Sequence, residues 1–196
     1  MEKNRLEAFS DGVLAIIITI MVLELKVPKG ADLAALATVG PVFLSYVLSF
    51  LYVGIYWNNH HHLIKVCRRV NGGIMWANLH LLFWLSLLPF VTGWVGENHF
   101  QSTPSACYGL VLLLSAIAYY VLQTLILSDT GGARSRVAAA LGRDWKGKLS
   151  PVLYALAVGL SFPSPATANA IYLLVALLWL IPDRRLERVL AEEGEG

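Results

Sequence analysis

The chain has 196 residues, of which 57% are hydrophobic and 14% charged, with a mean hydropathy of +0.61. Soluble domains hold about 25% charged residues, so an ordinary soluble domain is excluded and an all-α integral membrane protein is indicated. A formal net charge of +2 gives no sign of a nucleic-acid partner, and Cys67 and Cys107 form neither a disulfide framework nor a CxxC pair.

Charge-poor apolar stretches run from Phe9 to Leu25, Val39 to Tyr56, Ile74 to Val95, Ala106 to Leu127, Leu149 to Phe162 and Ala166 to Ile181. They predict six transmembrane helices, over about 9–25, 39–62, 74–96, 105–127, 149–162 and 166–182, within a single domain that takes up residues 1–196. Gly12 to Leu23 is followed by Glu24 and Lys26 without a small-residue cleavage site, so the first helix is expected to stay in the mature protein. A span needs about 20 residues to cross about 30 Å of hydrocarbon. The third and fourth stretches meet this comfortably, whereas the last two are short and require tilt or local thinning of the bilayer. Pro163-Ser164-Pro165 divides a charge-free run from Leu149 to Ile181, which predicts a tight hairpin of two helices, the first of them starting near Ser150-Pro151.

With connections alternating across the membrane, the 15 basic residues fall almost wholly on one side. Lys3, Arg5, Lys65, Arg68, Arg69, Arg134, Arg136, Arg143, Lys146, Lys148, Arg184, Arg185 and Arg188 share the side of the N-terminus, and Lys26 and Lys29 lie opposite. The positive-inside rule then makes both termini cytoplasmic. Trp57, Trp76, Trp94, Trp145 and Trp179 fall near the ends of spans, as interfacial anchors do. The segment from Ala133 to Lys148 alternates basic and apolar residues, which suits either a helix lying on the cytoplasmic leaflet or a solvated loop. The acidic tail from Arg185 to Gly196 reads as a frayed polar helix end. No internal repeat is present, so a pore requires several copies of the chain.

On a 3.6-residue period, Gly12, Ile16, Thr19 and Leu23 stack on one face of the first helix. In a symmetric assembly this stripe makes an apolar ring, a threonine ring and a second apolar ring. Apolar rings can gate by dewetting, and a hydroxyl ring can partly replace the water around a cation. The same periodicity also suits a face turned to lipid or to neighbouring helices, with the Thr19 hydroxyl bonded to the carbonyl of Ala15.

Immediately before this stripe stands Arg5-x-x-x-Phe9-Ser10-Asp11. Further on come Trp57-Asn58-Asn59-His60-His61 and a stretch from Asn78-Leu79-His80 to Leu88-Pro89-Phe90-Val91-Thr92. In this order the three motifs resemble the endosomal and lysosomal potassium channel family and its prokaryotic members, strongly over about the first hundred residues and beyond them through helix count alone. The resemblance implies a potassium channel with six helices per copy, a homotetramer of single-copy chains in the prokaryotic cell membrane, and a pore lined by the first helix. Counted from Asp11, it puts the constriction at Ile16, a polar layer at Thr19 and a further apolar layer at Leu23, with Gly12 at the mouth. Ile20 is the alternative if the helix is rotated. It further implies potassium as the permeant ion, held transiently near Thr19, with no cofactor and no resident metal. No Thr-Val-Gly-Tyr-Gly-like loop exists in the chain, so a carbonyl filter is excluded and only modest preference over sodium is expected.

Charges at the mouth of a membrane helix need partners. Asp11 suits the first turn of a helix, where free amides and the dipole favour a carboxylate. A polar knot is the alternative, tying Arg5, Ser10 and Asp11 to His60 or His61 of the second helix and Asn78 of the third. A histidine metal site does not fit. Adjacent residues on a helix point about 100° apart, so His60-His61-His62 cannot converge on one ion, and a metal-dependent membrane enzyme is disfavoured. A small secondary transporter normally shows paired repeats and polar groups at the midplane. Here that inventory is thin, namely Thr19, Ser45, Ser49, Ser86, Ser115 and Gln123. A transporter and a non-conducting membrane scaffold remain the rival readings.

Overall fold

The computed structural model describes residues 2–129 and 145–180. Most of the expected surface segment at 133–148 and the tail from Arg185 lie outside the described residues. The helices are α1 (Lys3–Leu23), α2 (Leu33–Thr38), α3 (Gly40–Val66), α4 (Gly72–Ser86), α5 (Leu88–Glu97), α6 (Ser102–Asp129), α7 (Trp145–Leu160) and α8 (Pro165–Leu180). Among the described residues, four stretches are long and apolar enough to cross a membrane: Lys3–Leu23, Gly40–Val66, Gly72–Glu97 and Ser102–Ser128. Over their described residues α7 and α8 have 16 residues each and reach about 24 Å.

The structure departs from the sequence expectation in four places. Helix α1 starts at Lys3, six residues before the apolar run, because Ser10 and Leu6 extend the buried stripe one and two turns back from Leu14. Asp11 therefore stands in the third turn, out of reach of the free amides of the first. The third span divides at Leu87 into α4 and α5. Pro89 has no amide hydrogen to donate to the carbonyl of Leu85, which interrupts the ladder there. Pro151 lies inside α7 instead of at its start. The connection after α1 holds the unforeseen α2, whose first turn is capped by Asp32, with its carboxylate accepting from the amide of Ala35 at 2.8 Å. The hairpin at Pro163 forms as expected, joining α7 to α8 over residues 161–164.

Helix α1 packs on α3, α4 and α5, while α6 packs on α4, α5 and α7, and α8 closes against α3 and α7. Two glycines permit the closest approaches. A Cβ on Gly96 would stand 2.6 Å from the Cα of Val42, so α5 and α3 meet backbone to backbone. At Gly109 a Cβ would overlap the Tyr172 ring, whose hydroxyl donates to the carbonyl of Ser105 at 3.1 Å. Small residues of this kind let membrane helices approach where lipid offers no hydrophobic drive. Buried hydroxyls add ties: Ser49 bonds Thr92 at 2.6 Å and Tyr108 at 3.0 Å, joining α3, α5 and α6.

Candidate pore helix and its polar anchor

Helix α1 has two distinct faces. Leu6, Ser10, Leu14, Ile17 and Met21 are buried in the bundle. Gly12, Ile16, Thr19 and Leu23 are exposed, Ile16 by 59% and Leu23 by 75%. At 100° per residue the centres of the two stripes lie about 150° apart. Beyond Gly12 lies open space, since an added Cβ would meet nothing within 4 Å. The Thr19 hydroxyl donates to the carbonyl of Ala15 at 2.9 Å, which commits its proton to the backbone and leaves the oxygen lone pairs free on the exposed side. Ile20 and Phe9 are exposed at the edge of the same face.

The buried face is held by a chain of polar groups. Asn78 of α4, fully buried, donates from Nδ2 to the Ser10 hydroxyl at 2.9 Å, and Ser10 in turn donates to the carbonyl of Leu6 at 2.8 Å. The Oδ1 of Asn78 meets His60 Nε2 of α3 at 2.7 Å. An amide oxygen can only accept, so His60 carries its proton on Nε2. Its Nδ1 is buried and, among the described residues, has no partner. One and two turns along α1, Glu7 pairs with His61 Nδ1 at 2.9 Å, and Asp11 accepts from Trp57 Nε1 at 3.0 Å. The rings of Trp57 and His61, four residues apart on α3, lie 6.2 Å apart with planes 20° from parallel. Near its start, α1 is tied once more by Lys3, whose ammonium donates to the carbonyl of Lys65 at 2.7 Å.

The anchor therefore joins α1 to α3 and α4 through Ser10, Asp11, His60, His61 and Asn78. Arg5 is exposed, and its side chain makes no hydrogen bond or ion pair among the described residues, so it takes no part in the anchor within the protomer. Two members escaped the sequence reading. Position alone makes Trp57 an interfacial anchor and assigns Glu7 no role. A spacing of four residues in both Glu7 to Asp11 and Trp57 to His61 places each pair on one helix face, which is the signal that would have found them.

At the opposite end, Lys26 pairs with Glu97 across the connection to α5. The Glu97 carboxylate holds the Lys26 ammonium above the usual lysine range, by its hydrogen bond and by its charge. His80 lies on the exposed side of α4, where it accepts from Trp84 Nε1 at 2.9 Å. Among the described residues, no three His, Cys, Asp or Glu side chains are arranged so that they could hold a metal ion.

A bundle of apolar membrane helices, whose first helix is bound on one face and left open on the other, defines a multi-pass membrane protein. The family described as endosomal/lysosomal potassium channel TMEM175 matches residues 5–89. A potassium channel of Chryseobacterium sp. (strain P1-3) is 55% identical over 192 residues, covering 98% of this chain and 100% of that one. A potassium channel of Streptomyces collinus is 35% identical and covers 91% of each chain. Among solved structures, a lysosomal potassium-selective channel TMEM175 homolog from Chamaesiphon minutus superposes with a TM-score of 0.77 at 27% identity, over 93% of this chain and 98% of that one. The chain belongs to the TMEM175 potassium channel family.

Proposed function

We propose that the protein is a passive potassium channel, a homotetramer of six-helix subunits in the cell membrane with both termini cytoplasmic. Four copies of the exposed face of α1 line its pore. Gly12 stands at the cytoplasmic mouth, Ile16 forms the narrow apolar ring, Thr19 a ring of hydroxyl oxygens and Leu23 a second apolar ring, with Ile20 at their margin. The observation that carries this reading is the open face of α1, on which a hydroxyl with free lone pairs sits between large apolar side chains.

An apolar ring sets a dehydration cost, which is lower for potassium than for the smaller and more strongly hydrated sodium ion. The Thr19 oxygens recover part of that cost by standing in for water. No backbone carbonyl cage is involved, so the preference for potassium is modest. The ion is held only in passing, and no cofactor or resident metal takes part. The anchor of Ser10, Asn78, His60, Glu7, His61, Asp11 and Trp57 keeps the register of α1 and touches no ion. Phe9 and Arg5 stand on the open face at the cytoplasmic end, available to the neighbouring subunit.

Purified protein in liposomes under a potassium gradient tests the reading. Passive, uncoupled flux is expected, with a potassium over sodium ratio that falls in Thr19→Ala and a rate that rises in Ile16→Asn. Saturable, proton-coupled flux would show a transporter instead, and absence of flux a scaffold.

A further inference from the structure

Two exposed polar side chains, Asn58 of α3 and His80 of α4, stand at one height along the bundle. Each lies eight residues from the connection between the two helices, since α3 ends at Val66 and α4 begins at Gly72. Both therefore stand about 12 Å along their helices from that end. His80 Nε2 accepts from Trp84 Nε1 at 2.9 Å, which puts the proton of the neutral ring on Nδ1. Neither that Nδ1–H donor nor the Asn58 side-chain amide has a hydrogen-bond partner among the described residues.

Their directions follow from the buried contact beside them, where His60 of α3 meets Asn78 of α4 at 2.7 Å. Asn58 precedes His60 by two residues and His80 follows Asn78 by two. Two residues are about 200° of helical turn, so both side chains point away from that contact, to opposite sides. Helix α1 packs on α3 and on α4, which sets the Asn58 flank and the His80 flank on either side of the pore helix.

One turn deeper, the same flanks carry a notch and a knob. Four residues before Asn58, Gly54 has open space where a Cβ would stand. Three residues after His80, Phe83 is 55% exposed, its ring 5.0 Å from that of Trp84 with planes at 75°. Gly54 and Phe83 stand about 18 Å and 17 Å from the same helix ends, so they too share a height. Small residues and hydrogen bonds between helices are what join helices in a membrane. A ring of identical subunits sets one flank of each copy against the opposite flank of the next. On the reading of α1 as a pore wall shared by several copies, we propose that the α3 flank of one copy docks on the α4 flank of its neighbour. His80 Nδ1 of one copy donates to the side-chain oxygen of Asn58 in the next, and Phe83 seats over Gly54. The contact is heterologous, so every copy uses each flank once and the ring closes.

Disulfide cross-linking of the full chain in membranes tests the pairing, in a background where Cys67 and Cys107 are replaced. Gly54→Cys combined with Phe83→Cys, oxidised with copper phenanthroline, is expected to give linked dimers, trimers and tetramers on a denaturing gel. Each single variant is expected to run as one chain. Asn58→Cys combined with His80→Cys, joined by a short bis-thiosulfonate linker, repeats the test without enlarging a glycine and should give the same ladder. Asn58→Leu and His80→Phe should each raise the fraction of dissociated subunits in detergent several-fold, and the double variant no further than either alone. Double-cysteine variants that are tetramers by mass yet stay as single chains after treatment overturn the pairing and leave the pore reading standing. Linked dimers from Gly54→Cys alone or Phe83→Cys alone do the same, because they set like flanks together. A wild-type protein that is monomeric by mass overturns both.

Discussion

Thr19 and Asn78 show how a single polar side chain acts in opposite ways on the two faces of one helix. The Thr19 hydroxyl has its proton bonded to Ala15, so its exposed oxygen is a standing acceptor at no extra cost to the fold. Thr19→Ala is therefore expected to leave stability within about 0.5 kcal/mol while lowering the potassium over sodium flux ratio, measured by paired flux assays. Asn78 donates to Ser10 and accepts from His60, both in a buried setting where water cannot replace it. Asn78→Ala strands the His60 Nε2 proton and should cost about 1–3 kcal/mol, seen as a lower melting temperature of the detergent-solubilised protein. Asp11→Ala breaks only the bond to Trp57 and should reduce flux through loosened support of α1, a result that unchanged assembly and current would refute.

At the scale of elements, close contacts depend on residues with no side chain. Gly109→Ala would drive a methyl group into Tyr172 and break its hydroxyl bond to Ser105. We expect a loss of about 1–3 kcal/mol, measured by thermal unfolding in detergent, and little change in ion preference because α1 is untouched. Much of this architecture was legible in the chain. The long apolar runs of α1, α3 and α6 announce themselves, as does the proline-marked hairpin between α7 and α8. The start of α1 was hidden because Lys3 to Glu7 carry charge, and hydropathy alone cannot see that Leu6 and Ser10 continue a buried stripe. The break at Leu87 was equally hidden, since Pro89 lies in an unbroken apolar run and only the lost hydrogen bond marks it. In the anchor, the motifs named Ser10, Asp11, His60, His61 and Asn78, but which of them touch depends on helix rotation. That is why the contacts of Glu7 and Trp57 follow from the packing, although their four-residue spacing from Asp11 and His61 was visible in the chain.

At the scale of the whole molecule, the proposed channel requires copies of the chain to face one another about an axis, so that the open face of α1 becomes a pore wall. Mass measurement of the solubilised protein is expected to return four copies, and a monomer would leave the stripe facing lipid. The most direct test of the pore wall is silver-ion accessibility along α1, in a background where Cys67 and Cys107 are replaced. Silver ions reach thiols only through water. The account predicts that silver blocks flux in Ile16→Cys, Thr19→Cys and Leu23→Cys and spares Leu14→Cys and Ile17→Cys. Block in the latter pair, with the former three unaffected, would contradict it.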